Sequence, residues 1–174
     1  MEAKHSMKNS QPKRNAIQTI MFDTNAFDKF VAVRDAYETL LALLLEGKIE
    51  LLVTHIQRDE IAAIENTTKK AQLLALLDRA RMIPTRGAVW GVSRWGQSRF
   101  GSDDDHKVIE HIRGDRWDRD TNDALIAVTA ARDSDVFVTD DDVLMRRLNS
   151  YTDIRCEVID FKELESRLNG LRFN

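Results

Sequence analysis

Residues 17–25 read IQTIMFDTN, an apolar run that stops at the polar motif DTN, residues 23–25. A second pattern of this kind occurs far along the chain, where VFV at 136–138 is followed by TDDD at 139–142. Each pattern predicts a β-strand with carboxylates at its C-terminal end. Ligands of open α/β sheets bind outside the carboxyl ends of the strands, so we expect these two acidic motifs to meet in space.

The rest of the chain alternates between strand-like apolar runs and segments of helical periodicity. The pattern predicts strands at 17–22, 49–53, 135–139 and 155–160, and helices at 26–46, 57–66, 68–81, 103–113, 120–132, 142–148 and 161–169. Strands separated by helices predict an α/β fold with a parallel sheet and helices on both faces. We expect a single domain over 17–174, preceded by a flexible polar tail at 1–16.

Composition is that of an ordinary globular chain. With 174 residues, of which 43% are hydrophobic and 32% charged, one domain with a sizeable core is expected. The net charge of −3 gives no global attraction to nucleic acid, so such binding would need a local basic patch. The single cysteine, Cys156, excludes an intrachain disulfide and a thiolate zinc cluster. A cytoplasmic protein is expected because a lone cysteine fits a reducing compartment. No membrane partner is expected, since no apolar stretch approaches the ~20 residues that span a bilayer.

Two further acids are predicted near the same end of the sheet. Glu60 follows the second predicted strand within the first turns of a helix, and Asp123 lies in the first turn of a later helix. Carboxylates brought close together repel and resist joint ionisation. A bound cation relieves this repulsion, and Mg²⁺ or Mn²⁺ suits a site made only of oxygen ligands.

Taken in order, these motifs resemble a PIN domain. This family of metal-dependent nucleases includes the ribonuclease toxins of bacterial toxin–antitoxin pairs. The resemblance covers about residues 17–160 and implies a parallel sheet with flanking helices, RNA as the substrate and Mg²⁺ or Mn²⁺ as the cofactor. It assigns the four family acids to Asp23, Glu60, Asp123 and Asp141. An antitoxin protein and a second copy of the chain are partners that the resemblance leaves open.

The resemblance also implies a role for each side chain. Asp23 becomes the central metal ligand, Asp123 and Asp141 complete direct or water-mediated coordination, and Glu60 coordinates through water or orients the nucleophile. The supporting polar positions of the family fall on Asn25 and Thr139. Adjacent residues at a strand end point to opposite sides, so we expect Asp140 at the rim of the site.

A segment rich in tryptophan and arginine lies between the second strand and the later helices. Residues 79–102 contain five arginines and no acid, and an aromatic-Gly-x-Ser-Arg echo occurs at 90–94 and 95–99. Aromatic and guanidinium groups stack on unpaired bases and hold phosphates. We predict nucleic-acid binding by Arg86, Arg94, Arg99, Trp90 and Trp95. Packing of this segment onto the core and docking of a protein partner remain alternatives.

Each acidic motif also has a reading without catalysis. A single Asp at these positions is equally explained as a helix cap or as part of a solvated turn. At the level of the protein, the alternative is a catalytically inactive PIN-like module that binds RNA or a protein partner. A phosphoacceptor signalling domain is a third class, for which Lys162 after the last strand would supply the required cation.

Overall fold

The computed structural model describes residues 18–114, 121–152 and 154–172, so the predicted tail at 1–16 and Asp120 lie outside the described residues. The strands are β1 Gln18–Phe22, β2 Ile49–Val53, β3 Arg81–Met82, β4 Thr85–Arg86, β5 Ser98–Arg99, β6 Val136–Val138 and β7 Glu157–Ile159. The helices are α1 Thr24–Ala32, α2 Arg34–Leu45, α3 His55–Ala62, α4 Thr67–Leu77, α5 Asp103–Arg113, α6 Thr121–Asp133, α7 Asp142–Asn149 and α8 Phe161–Arg172.

The main sheet has five parallel strands in the order β3-β2-β1-β6-β7. β1 is the central strand and pairs with β2 on one side and β6 on the other. Because all five strands are parallel, the carboxyl ends of β1, β2 and β6 lie at the same end of the sheet. The predicted α/β fold with a parallel sheet is confirmed.

Successive side chains of a strand point to opposite faces of the sheet, and this alternation divides the core into two layers. Ile20 and Phe22 of β1 face a cluster completed by α1, α2, α4 and α8. Met21, between them, faces a second cluster formed mainly with α5, α6 and α7. Phe22 also contacts Phe27 and Phe30 of α1 in a tilted and an edge-to-face arrangement, with ring centroids 5.0 and 4.9 Å away. Helices therefore cover both faces of the sheet, as predicted.

The helix predicted over 57–66 is observed as His55–Ala62. Two other predicted helices differ more from the observed ones. The helix predicted over 26–46 is broken at Val33, whose extended backbone (φ −111°, ψ 90°) ends α1 and begins α2. This bend lets α1 lay its phenylalanines on β1 while α2 packs against β2 and α8. The helix predicted over 68–81 ends at Leu77, and Arg81–Met82 instead forms an edge strand on Leu52 and Val53 of β2.

No helix in the described part of the chain combines the length and the apolar composition that a bilayer crossing requires.

Candidate functional site

Asp23 occupies the point where β1 ends and α1 begins. Its backbone N–H donates to the carbonyl of Val138 at 2.8 Å, which continues the β1–β6 pairing to this residue. The side chain is buried and does not cap α1, although Asp23 is the N-cap residue. Carboxylate oxygen Oδ2 accepts a hydrogen bond from Thr139 Oγ1 at 3.1 Å, while Oδ1 is buried without a hydrogen-bond partner in the described structure.

Burial raises the pKa of Asp23 above its usual range. Hydrogen bonds from the Thr139 hydroxyl and the Thr24 backbone oppose this change, and the negative charges of Asp141 and Glu60 add to it. Hydrogen bonds place both acids near Asp23, since Asp141 is linked to it through Thr139 and Glu60 accepts from Thr24, the residue after Asp23. A buried carboxylate near two others is the situation in which a cation binds favourably.

Thr139 links Asp23 to Asp141. Its hydroxyl donates to Asp23 and accepts from the Asp141 backbone N–H at 3.1 Å. Asp141 then caps α7, because its Oδ1 accepts from the backbone N–H groups of Val143 and Leu144 at 2.7 and 3.0 Å. The cap fixes the side chain through one carboxylate oxygen and leaves Oδ2 outside the capping interaction.

Glu60 is held between two of the predicted motifs. Its Oε2 accepts from Thr24 Oγ1 at 2.6 Å, and its Oε1 accepts from Asn122 Nδ2 at 2.7 Å. Thr24 follows Asp23 directly in sequence and Asn122 precedes Asp123. The two hydrogen bonds therefore tie the starts of α1 and α6 to α3, although the three segments are far apart in sequence.

Asp123 shares a small pocket with Asp141. The pocket has a volume of about 40 Å³ and is also lined by Ile112, Leu144 and Arg147. This volume accommodates a few water-sized ligands. Asp123 and Asp141 thus face the same opening, with the cationic Arg147 in its wall.

Asp140 points away from these acids. Its Oδ2 forms an ion pair with Lys29 Nζ of α1 at 2.9 Å, and its Oδ1 accepts from the backbone N–H of Phe161 at 3.3 Å. Asn25 is exposed in the first turn of α1, and in the described residues no hydrogen bond joins it to the acids. The structure therefore links Asp23 to Asp141 through Thr139, places Asp123 in the same pocket as Asp141, and leaves Asp140 and Asn25 aside. We call Asp23, Glu60, Asp123 and Asp141 the acid cluster.

A divalent cation fits the acid cluster because of the unpartnered Asp23 Oδ1. A buried acceptor without a partner costs about 1–3 kcal/mol, a penalty that a cation would remove. The all-oxygen surroundings suit Mg²⁺ or Mn²⁺. However, no three His, Cys, Asp or Glu side chains of residues 18–114, 121–152 and 154–172 are already grouped to hold a metal ion. Each oxygen of Glu60 already accepts one hydrogen bond from a neutral donor, and Asp141 is partly used as a cap, so the acids are neighbours rather than a preassembled ligand set.

The segment predicted to bind nucleic acid is a closed loop. The short parallel pair of β4 and β5 joins its two ends, and Gly87 N–H donates to the Arg99 carbonyl at 3.1 Å. We call residues 87–101 the aromatic loop. Trp90 and Trp95 are fully exposed, at 100% and 98%.

The three predicted arginines have different surroundings. Arg86 is half-buried and forms a bidentate ion pair with Asp133, at 2.9 Å from Nε and 2.6 Å from Nη2. Arg94 pairs with Asp59 of α3 at 2.8 Å, with both side chains exposed. Arg99 is exposed and has no ion pair with any described residue. Arg86 thus has a structural partner, whereas Arg99 is open to an anion.

Scanned against protein-family models, the chain matches none. A search of curated proteins finds no match either.

Several side chains that shape the site were not predicted from the sequence. Asn122 and Thr24 orient Glu60, Lys29 neutralises Asp140, and Arg147 lines the pocket of Asp123 and Asp141. Lys162, the cation considered for a phosphoacceptor site, is exposed on α8. Asn122 and Thr24 each adjoin a predicted acid, so their position was a usable signal. Lys29 and Arg147 carry no such signal, because their role depends on how α1 and α7 pack.

Proposed function

We propose that this protein is a PIN-like ribonuclease that hydrolyses phosphodiester bonds of RNA with Mg²⁺ or Mn²⁺. The observation that carries the proposal is the Asp23 carboxylate. It is buried at the end of the central strand, has one oxygen without a hydrogen-bond partner, and lies near the charges of Asp141 and Glu60. A buried carboxylate with an unpartnered oxygen does not stabilise the fold, and that oxygen is suited to bind a cation.

The described residues divide the work of such a site. Asp23, Asp123 and Asp141 would hold the cation, and Thr139 keeps the Asp23 carboxylate in one orientation by its hydrogen bond. Glu60, fixed by Thr24 and Asn122, would orient the attacking water. When bound, the cation supplies a water of lowered pKa and relief of charge on the phosphate oxygens.

The choice of RNA follows from the resemblance of the four acidic motifs to PIN ribonucleases. The same resemblance supports a toxin role, with an antitoxin protein as partner. If the protein is a toxin, expression of the wild-type chain should arrest bacterial growth, and expression of the Asp23→Asn chain should not. If expression of the wild-type chain does not affect growth, the toxin role is wrong, but the proposed ribonuclease activity is not contradicted.

The decisive experiment incubates purified protein with end-labelled single-stranded RNA in Mn²⁺, in Mg²⁺ and in chelator. We expect cleavage with either metal, none in chelator, and loss of most activity in Asp23→Asn, which deletes a charge at nearly constant shape. Asp78→Asn is a suitable control, because this exposed acid lies between α4 and β3, away from the carboxyl ends of the strands, and its side chain has no hydrogen bond or ion pair with any described residue. If Asp23→Asn cleaves as fast as wild type, the proposed mechanism is wrong.

Two observations favour the second candidate, an inactive PIN-like module that binds RNA or a protein. Both oxygens of Glu60 are occupied by neutral donors, and among the described residues no ready-made group of metal ligands exists. Titration with Mn²⁺, followed by calorimetry, separates the candidates. A nuclease should bind the ion in an Asp23-dependent manner, and the inactive module should not.

A further inference from the structure

The aromatic loop exposes three large aromatic side chains within a short stretch of chain. Trp90, Trp95 and Phe100 have exposed fractions of 100%, 98% and 91%. Several large apolar side chains exposed on one short segment indicate a binding site. Since these side chains do not contact the core, the packing alternative for them is excluded.

The backbone beneath these rings is well anchored. Val89 and Val92 pack against the core layer that contains Met21 and α6. The Val89 N–H donates to Ser93 Oγ at 2.8 Å, and Thr85 Oγ1 donates to Ser98 Oγ at 2.8 Å across the β4–β5 pair. The loop is therefore a supported platform that holds its aromatic rings outward.

Charge favours a polyanion as the occupant. Residues 79–102 carry five arginines and no acid. Arg81, Arg86 and Arg94 are paired with acids from other segments, whereas Arg99, beside Phe100, is exposed without an ion pair to any described residue. An apolar protein partner would gain nothing from this cation, but a nucleic acid offers both a phosphate for it and bases for the rings.

The loop also adjoins the acid cluster. Arg94 pairs with Asp59, the residue before Glu60 on α3. This ion pair ties the middle of the aromatic loop to the helix that supplies one of the four acids. A strand lying across the loop would therefore pass close to α3.

We infer that the aromatic loop is a stacking platform for unpaired bases and restricts the substrate to single-stranded RNA. This inference rests on the proposed ribonuclease function. Trp90, Trp95 and Phe100 present ring faces to successive bases, and Arg99 contacts the backbone phosphate. Paired bases are stacked on each other and present no free face, so a duplex binds only through its phosphates.

Equilibrium binding in chelator tests the platform independently of cleavage. The probes are a fluorescently labelled uridine oligonucleotide, the same strand in a duplex, and wild-type or variant protein. We expect the single strand to bind more tightly than the duplex. Trp90→Leu and Trp95→Leu should each weaken single-strand binding about tenfold, since stacking of one base on one ring is of that order. The Trp→Phe variants keep a ring and should retain most of the affinity.

Matched control variants are placed near the amino ends of the strands, away from the acid cluster. Leu45→Ala removes an apolar group that is 62% exposed at the end of α2, and Arg155→Ala removes an exposed arginine just before β7. Neither should change binding. Arg99→Ala should lower the slope of log affinity against log salt by about 0.7, the value for one phosphate contact on a single strand.

The outcomes distinguish this inference from the proposed function. Unchanged single-strand affinity in both Trp→Leu variants would overturn the platform and assign the rings to a protein partner, even if the enzyme cleaves RNA. Equal affinity for single strand and duplex would overturn it as well. Ring-dependent binding without metal-dependent cleavage would uphold the platform and reject the nuclease.

Discussion

Asp23 is the residue at which structure and proposed chemistry are most closely joined. Its raised pKa means that its favourable contribution to folding is present below the ordinary range of an aspartate and is lost as the pH rises through the raised value. In chelator, the unfolding free energy of wild type minus that of Asp23→Asn should therefore increase as the pH is lowered from about 7 to about 4. Urea denaturation of both proteins measures this difference. A difference that stays constant would show that Asp23 is solvated.

Cation binding to Asp23 should also appear as stability. At a free Mn²⁺ concentration of about 100 times its dissociation constant, a site present only in the folded state adds about 2.7 kcal/mol to the unfolding free energy. For a chain of this length, that is a rise of roughly 5–10 °C in melting temperature. Calorimetric melting should show this rise for wild type and not for Asp23→Asn. An equal rise in both proteins would assign the ion to other ligands.

Asp140 and Asp141 are adjacent but have opposite surroundings. Asp140 is neutralised by Lys29, whereas Asp141 is linked to Asp23 through Thr139 and faces the pocket of Asp123. Asp141→Asn should reduce metal-dependent turnover by ~100-fold, and Asp140→Asn by less than ~10-fold, the range typical of lost metal-site interactions. Asn keeps the capping oxygen, so the melting temperature of Asp141→Asn should change little. If the two variants exchange their effects on turnover, Asp140 is the ligand.

At the scale of elements, the closure of the aromatic loop depends on two glycines. Gly87 adopts a φ of +92°, and a Cβ added there would lie 2.5 Å from Ile109 Cδ1. Gly101 packs against Gly87, and a Cβ added to Gly101 would lie only 3.2 Å from the Gly87 Cα. The base of the loop is thus closed by backbone contact, and side chains are excluded from it.

Gly87→Ala should destabilise the protein more than Gly91→Ala. Both positions have positive φ, at +92° and +83°, but a Cβ at Gly91 meets nothing within 4 Å. The backbone penalty is shared, so the difference reports the clash with Ile109, which we expect to be about 1–3 kcal/mol. Urea denaturation of both variants gives this value. Equal losses would show that the Ile109 side chain moves aside without penalty.

The accuracy of sequence-based prediction varied with the range of the interactions that define each element. Strand β2 and helix α5 begin and end where the apolar pattern predicts, because local burial and the Ser102 cap define them. The edge strand Arg81–Met82 was missed, since both residues are exposed and only pairing with β2 and an ion pair to Glu50 define it. The acids at strand ends were predictable for the same local reason, whereas ion pairs such as Arg86–Asp133 depend on tertiary packing.

At the scale of the whole molecule, Cys156 reports on the integrity of the fold. Burial raises the pKa of its thiol from 9.0 to about 11, which lowers the reactive thiolate fraction near neutral pH about a hundredfold. Reaction with a disulfide reagent should therefore be far slower than that of glutathione and should accelerate in urea. The absorbance of the released thiolate follows both rates. Equally fast reaction of the native and the urea-unfolded protein would place Cys156 at the surface.

The central position of β1 has a consequence for biosynthesis. Asp23 and its partner Thr139 are 116 residues apart, and β1 pairs with β6 just before Thr139. At a translation rate of about 5–20 residues per second, a ribosome needs roughly 6–23 s to reach the second residue after making the first. During that interval one side of β1 has no neighbouring strand and Asp23 has no hydroxyl to hold it. A nascent chain therefore cannot assemble the acid cluster until most of its length has been translated.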